Sequence, residues 1–218
     1  MPCVRRAAAA ESWLAVVSGR FIVIEGPNGV GKTTTSHLLI EQLQARRGRR
    51  MHWTTEPSRT PLGRLLRSGE ADLPPRALAL AIAADRLAHV EGEIEPRVRR
   101  GEWVISDRYV QSSLVLQRID GIVLDEIWGY NAAVRRPDAT FYLEAEPETL
   151  RARLDQRPQR SRLEQLGSPE RELALYREAA TFLASLGWRQ HVIDCIDRTP
   201  SQVVEAILSD LETVDASQ

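Results

Sequence analysis

The 218-residue sequence is short of several things, and each shortage excludes something. It has two cysteines, Cys3 and Cys195, too few for a disulfide framework, which fits a reducing compartment and a cytoplasmic location. No window approaches the roughly 18 apolar residues of a spanning helix, so a membrane protein is not expected. Neither sign of charge is in excess: 29 basic and 30 acidic residues leave a net charge of -1, which argues against a general nucleic-acid binder. Lysine is almost missing, since 28 arginines and the single Lys32 make up the basic set. That bias has no functional meaning by itself, but the position of the one lysine does. What remains, 43% hydrophobic and 27% charged residues, is the composition of one globular domain with a sizeable core.

Short apolar runs alternate with helical patterns. Phe21-Ile22-Val23-Ile24, Met51-His52-Trp53-Thr54, Trp103-Val104-Ile105-Ser106, Ala139 to Leu143 and His191-Val192-Ile193 read as strands. Helical spacing covers 32–46, a short stretch around Leu62, Leu65 and Leu66, a long helix over 75–95 ending near Pro96, then 111–118, 123–135, 147–156, 170–186 and 201–212. This order predicts an α/β fold, a five-stranded parallel sheet flanked by helices. Residues 1–19 read as an N-terminal extension with no targeting role, and 20–218 as a single domain.

Gly26-Pro27-Asn28-Gly29-Val30-Gly31-Lys32-Thr33 fits the phosphate-loop pattern at every fixed position, after a strand and before a helix. Glycines let successive N–H groups turn toward one centre, and the helix N-terminus adds its own. Lys32 is placed for the β and γ phosphates of ATP, Thr33 for magnesium, and Thr34 for the next turn of the cradle. Asp107 stands at the carboxyl end of a buried strand, where it can hold Mg2+ or its waters, or merely end the strand. Arg108 beside it has the planar fork that suits a phosphate. Glu56-Pro57 ends the second strand and can orient Arg108 or a water, or only terminate the strand. Arg86 follows Ile82 by one helical turn and shares its face. It can read a base, form a surface pair, or pair with Glu91. Ser113 can donate and accept, so it can serve N3 of a base. Arg151, Arg153, Arg157, Arg160 and Arg162 crowd a segment in which Asp155 is the only acid over 151–162.

Four segments carry a resemblance: Phe21 to Gly26; Thr54-Thr55-Glu56-Pro57-Ser58 with Thr60-Pro61-Leu62-Gly63 and Leu66-Arg67; Ala83-Ala84-Asp85-Arg86; and Val104 to Tyr109 with Ser112, Ser113 and Gln117. Over about 20–212 their order and spacing are similar to those of the thymidylate kinases, P-loop nucleoside monophosphate kinases. The resemblance implies a P-loop kinase fold with an arginine-rich lid at about 153–168, a homodimer, and ATP- and Mg2+-dependent phosphorylation of a pyrimidine nucleoside monophosphate, dTMP first. It implies no nucleic-acid partner and no membrane. It gives Lys32, Asp107, Arg108, Arg153, Arg157 and Arg160 to catalysis and Thr33 and Asp107 to the metal. Asn28, Glu56, Pro57, Ile82, Arg86, Arg108, Ser112, Ser113, Leu116 and Glu164 fall to the acceptor, with Arg86 donating to O4 of the base.

Four positions depart from the family pattern. Asn28 stands for an aspartate, Ile82 for a stacking phenylalanine, Leu116 for a tyrosine beside the sugar, and Ser161 for a lid aspartate. The phosphate-handling residues are kept. Two alternatives follow: a kinase of another or modified pyrimidine monophosphate in a specialised pathway, and a nucleotide-binding regulatory protein with little kinase activity.

Overall fold

Phe21, Ile22, Val23 and Ile24 are all apolar and all buried, because helices cover both faces of the strand they build. In the computed structural model, which describes residues 19–69, 73–156 and 168–216, that strand is β1 (Arg20–Glu25). It is central in a parallel sheet with β2 (Met51–Thr55), β3 (Trp103–Asp107), β4 (Ala139–Glu144) and β5 (Gln190–Asp194), ordered β2-β3-β1-β4-β5. Side chains alternate between the faces. Ile22 and Ile24 pack with Leu39 and Leu43 of α1 (Lys32–Arg47) and with Val204 and Ile207 of the last helix, Pro200–Ala216. Phe21 and Val23 pack the other way, on Val110 and Leu114 of the helix Val110–Ile119 and on Tyr176 and Ala179 of the helix Pro169–Ser185. Each buried side chain of this size contributes about 1.5–3 kcal/mol, and because they alternate between the faces the strand as a whole requires both layers of helix.

The remaining helices are α2 (Pro61–Gly69), α3 (Pro75–His89) and α4 (Glu95–Arg99). After α5 (Val110–Ile119) come α6 (Leu124–Asn131), α7 (Pro147–Asp155), α8 (Pro169–Ser185) and α9 (Pro200–Ala216). The register sets Ile24 beside Asp107 and Asp107 beside Thr55, so the carboxyl ends of β1, β3 and β2 are level. The chain moves outward to β2 on one side of β1 and to β4 on the other, and ligands of such sheets sit at that switch.

Two helices differ from the spacing. The stretch 75–95 does not run unbroken to Pro96: α3 stops at His89, a π turn covers Val90–Ile94, and Pro96 lies in the first turn of α4. The Glu95 N–H bonds the Val90 carbonyl five residues back. The widened turn lets Pro96, which has no N–H to give and would crowd the carbonyl four back, begin a new helix instead of ending one. The helix expected over 123–135 ends at Asn131, and a turn covers the residues that follow. Among the described residues no helix is long and apolar enough to cross a membrane.

Candidate active site

Between β1 and α1 the chain makes the turn its glycines allow. Gly26 has φ +146°, and a Cβ there would lie 2.7 Å from the Leu143 carbonyl oxygen. The first turn of α1 carries no acid and no side-chain cap, so its N–H groups face outward unsatisfied, as an anion site needs. Asn28, Gly29, Gly31, Lys32, Thr33, Thr34, Asp107 and Arg108 line a polar hollow of about 230 Å³ over it. Val30 is buried under the loop. Lys32 is folded back: its Nζ donates to the carbonyls of Gly26 (2.7 Å) and Pro27 (2.8 Å). Burial and the Arg108 guanidinium push its ammonium down to about 7, against the pull of Asp107, Glu172 and Glu25.

Thr33 and Asp107 meet as the motif requires. The Thr33 hydroxyl donates to Asp107 Oδ2 at 2.5 Å, while Asp107 Oδ1 is buried without a hydrogen-bond partner. An orphaned carboxylate oxygen next to a hydroxyl fits a hard cation that takes its remaining ligands from phosphate and water. Among the described residues no cluster of three His, Cys, Asp or Glu is placed to hold a metal by itself.

Arg108 sits at φ +79°, a left-handed conformation that costs about 1–3 kcal/mol in a non-glycine residue. Glu25 holds that turn. Its carboxylate accepts from the Tyr109 N–H (2.7 Å), the Ser112 N–H (3.0 Å) and the Ser112 hydroxyl (2.7 Å). Burial raises the Glu25 carboxyl, while Arg108 and those donors work to lower it. The Arg108 guanidinium donates to Asn28 Oδ1 (2.5 Å), Ser112 Oγ (3.0 Å) and Tyr176 Oη (3.3 Å). Tyr176, from α8, was invisible to sequence spacing, as was Glu172, whose carboxylate accepts from the Asn28 N–H at 3.0 Å.

Beyond Arg108 opens a cavity of about 270 Å³. Nine of the ten residues expected to bind the acceptor line it: Asn28, Glu56, Pro57, Ile82, Arg86, Arg108, Ser112, Ser113 and Leu116. The tenth, Glu164, lies outside the described residues, as do Arg157, Arg160 and Ser161. Arg86 is buried, not a surface residue, and Glu91 is exposed and is not its partner. Its Nε donates to Glu56 Oε2 (2.6 Å), Nη1 to Asn131, and Nη2 to the Tyr109 carbonyl (3.1 Å) and Ser113 Oγ (2.9 Å). Glu56 therefore orients Arg86, not Arg108. The strand end puts its carboxylate under α3, where a buried guanidinium requires a counter-charge.

Five lining residues were missed: Leu66, Arg67, Leu78, Tyr109 and Gln117. The signal for Gln117 was its place one helical turn after Ser113 on α5. Its Oε1 is buried with no partner, and the residue lines the cavity together with Arg86. Leu66, Leu78 and Ile82 form one apolar cluster against which a ring can lie. On the other side of the loop, Arg153 of α7 reaches the carbonyls of Gly29 and Val30, both at 3.3 Å.

The model of the thymidylate kinase family matches residues 24–198. A protein of Bifidobacterium longum subsp. infantis named thymidylate kinase is 37% identical over 213 residues, 91% of this chain and 88% of that protein. A thymidylate kinase of Leifsonia xyli subsp. xyli is 37% identical, covering 88% of this chain and 92% of its own. A probable thymidylate kinase of Pyrobaculum aerophilum is 40% identical over 73% of this chain and 83% of its own.

Proposed function

The chain belongs to the thymidylate kinase family, and on that premise we propose how its residues carry out the family's reaction. It is a nucleoside monophosphate kinase that transfers the γ-phosphoryl group of ATP to dTMP, giving dTDP and ADP. Neither alternative, a specialised pyrimidine kinase or a regulatory protein, is favoured by relatives that all carry this name. The observation that carries the mechanism is that the phosphate hollow and the acceptor cavity adjoin and share Asn28 and Arg108. A donor phosphate in one and an acceptor phosphate in the other meet at the Arg108 guanidinium.

In this reading the loop amides and Lys32 take the β and γ phosphates, and Lys32 leaves its two carbonyls to do so. Arg108 grips the acceptor phosphate, held by Asn28, Ser112 and Tyr176. Four of the five N–H groups of Arg86 are engaged, and the fifth remains for O4 of the base. Gln117 Oε1, not Ser113 as expected, accepts from N3–H, because the Ser113 hydroxyl is taken up by Arg86. That pair suits a 4-keto pyrimidine and opposes cytosine, which presents a donor at C4 and no proton on N3. Ile82, Leu66 and Leu78 supply the apolar wall, and Leu116 lies toward the sugar. Arg153, with Arg157 and Arg160 of the lid at about 153–168, supplies positive charge to the migrating group. Thr33 and Asp107 would hold Mg2+, which neutralises phosphate charge when bound. Residues 20–218 form one kinase domain in this account, cytoplasmic and paired as a homodimer.

An ADP-release assay across dTMP, dUMP, UMP and CMP tests it. dTMP should turn over fastest. No turnover with any acceptor would refute the kinase reading, and CMP outrunning dTMP would refute the roles of Arg86 and Gln117. Lys32→Ala should lower kcat by about 10²–10³-fold, with no second lysine to replace it.

A further inference from the structure

Behind Glu56, away from the cavity, lies a histidine that no motif above uses. His89 is fully buried at the last residue of α3, one turn after Arg86 and directly before the π turn. It does not line the acceptor cavity. Its Nδ1 lies 3.3 Å from Glu56 Oε1, and its Nε2 lies 2.7 Å from Thr54 Oγ1. A carboxylate can only accept, so Nδ1 carries a proton and donates it to Glu56. Nε2 faces the Thr54 hydroxyl, which can donate or accept. The π turn brings Glu93 to the same side, its Oε2 at 3.9 Å from His89 Nε2, with His52 Nε2 at 2.6 Å from Glu93 Oε1.

The two oxygens of Glu56 are thus divided. Oε2 takes Arg86 Nε and Oε1 takes His89 Nδ1. We propose that His89 is a positioning residue for the acceptor base: by holding Glu56 Oε1, it fixes the carboxylate that fixes Arg86. The side chain of Glu56 is 4% exposed, so water cannot readily replace a lost donor. Without His89, Oε1 is left unsatisfied beside the guanidinium, and the carboxylate turns to share both oxygens with Arg86. The guanidinium then shifts away from the direction in which its free N–H meets O4. Ser113, Asn131 and the Tyr109 carbonyl still hold Arg86, so the effect falls on base recognition and not on the phosphate end of the site.

The inference rests on the kinase reading above, and steady-state kinetics separates the two. Wild type, His89→Ala, His89→Asn and His89→Gln are compared for the KM of dTMP, the KM of ATP and the preference for dTMP over dCMP. An asparagine Nδ2 takes the place of imidazole Nδ1 and can still donate to Glu56; a glutamine amide reaches the Nε2 position instead. Alanine should raise the dTMP KM about tenfold and erode the dTMP preference by a similar factor, with the ATP KM and kcat near wild type. Asparagine should restore most of both, and glutamine should not. An unchanged dTMP KM in the alanine variant, a parallel rise in the ATP KM, or asparagine no better than glutamine would overturn the proposal. If the alanine variant does not fold, the asparagine–glutamine comparison decides alone. A wild-type chain that turns over no dTMP fails the kinase reading itself, whereas an active wild type with an indifferent His89 fails only this inference.

Discussion

Lys32 shows how one residue can be legible in type and position yet unexpected in state. The motif places it at the phosphates, and the structure places it there, but with its ammonium folded onto two carbonyls and held down to about 7 by burial and Arg108. Phosphate charge arriving beside it reverses that shift. The bound state then has the higher pKa, so binding takes up a proton wherever the free lysine is neutral, which is above about pH 7. At pH 8 ATP binding should take up close to one proton, and at pH 6 almost none; affinity should be fully present below pH 7 and weaken above it. Calorimetry in buffers of different ionisation enthalpy reads this directly, and a binding heat independent of buffer at both pH values would contradict it. Arg108, Asp107 and Arg86 were legible in the same way, because their chemistry follows from strand ends and helix faces. Glu25, Glu172 and Tyr176 were not. Their partners lie 64 to 144 residues away, and no local pattern encodes a contact of that range.

At the scale of elements, the five strands and most helices were readable because buried parallel strands and amphipathic helices have different periods. The end of α3 at His89 was not, since Val90 and Ile94 continue the helical spacing of apolar residues through the π turn. It matters because the turn puts His89 and Glu93 under β2. The short α2 shows a different dependence. Thr60 Oγ1 accepts from the Gly63 N–H as a cap, and the same hydroxyl lies 2.8 Å from Asp85 Oδ1, which also meets the Ser58 hydroxyl at 2.6 Å. The Ser58 N–H donates to Asp85 Oδ2 at 2.6 Å. The loop after Pro57 is thereby drawn onto α2 so closely that a Cβ on Gly63 would lie 2.1 Å from the Ser58 carbonyl oxygen. Gly63→Ala should cost about 1–3 kcal/mol, lowering the melting temperature by roughly 2–4 °C for each kcal/mol. Leu66 and Arg67 line the cavity from the same helix, so the dTMP KM should rise with it. A variant melting at the wild-type temperature would show that the loop yields freely.

For the whole molecule, the two sides of α3 pose one remaining question. Inward it carries Ile82, Asp85, Arg86 and His89, all buried. Outward it leaves Leu80 51% and Leu87 40% exposed, with Ala77, Ala84 and Ala88 on the same side, and Leu65 of the neighbouring α2 is 64% exposed. Two turns of leucine separated by alanines let a second helix approach closely, and a two-fold pairing would cover the leucines of both copies at once. Covering the half of each leucine that remains exposed is worth about 1 kcal/mol, while a glutamate in its place would be buried without a counter-charge. The proposed homodimer therefore predicts that Leu80→Glu combined with Leu87→Glu sediments as a monomer where the wild type sediments as a dimer. The wild type should also melt at a temperature that rises with protein concentration, and the double variant should not. Because the opposite side of the same helix holds Arg86, separating the copies should raise the dTMP KM while leaving the ATP KM in place. A wild type that sediments as a monomer, or a double variant that remains dimeric, would move the pairing surface off this helix.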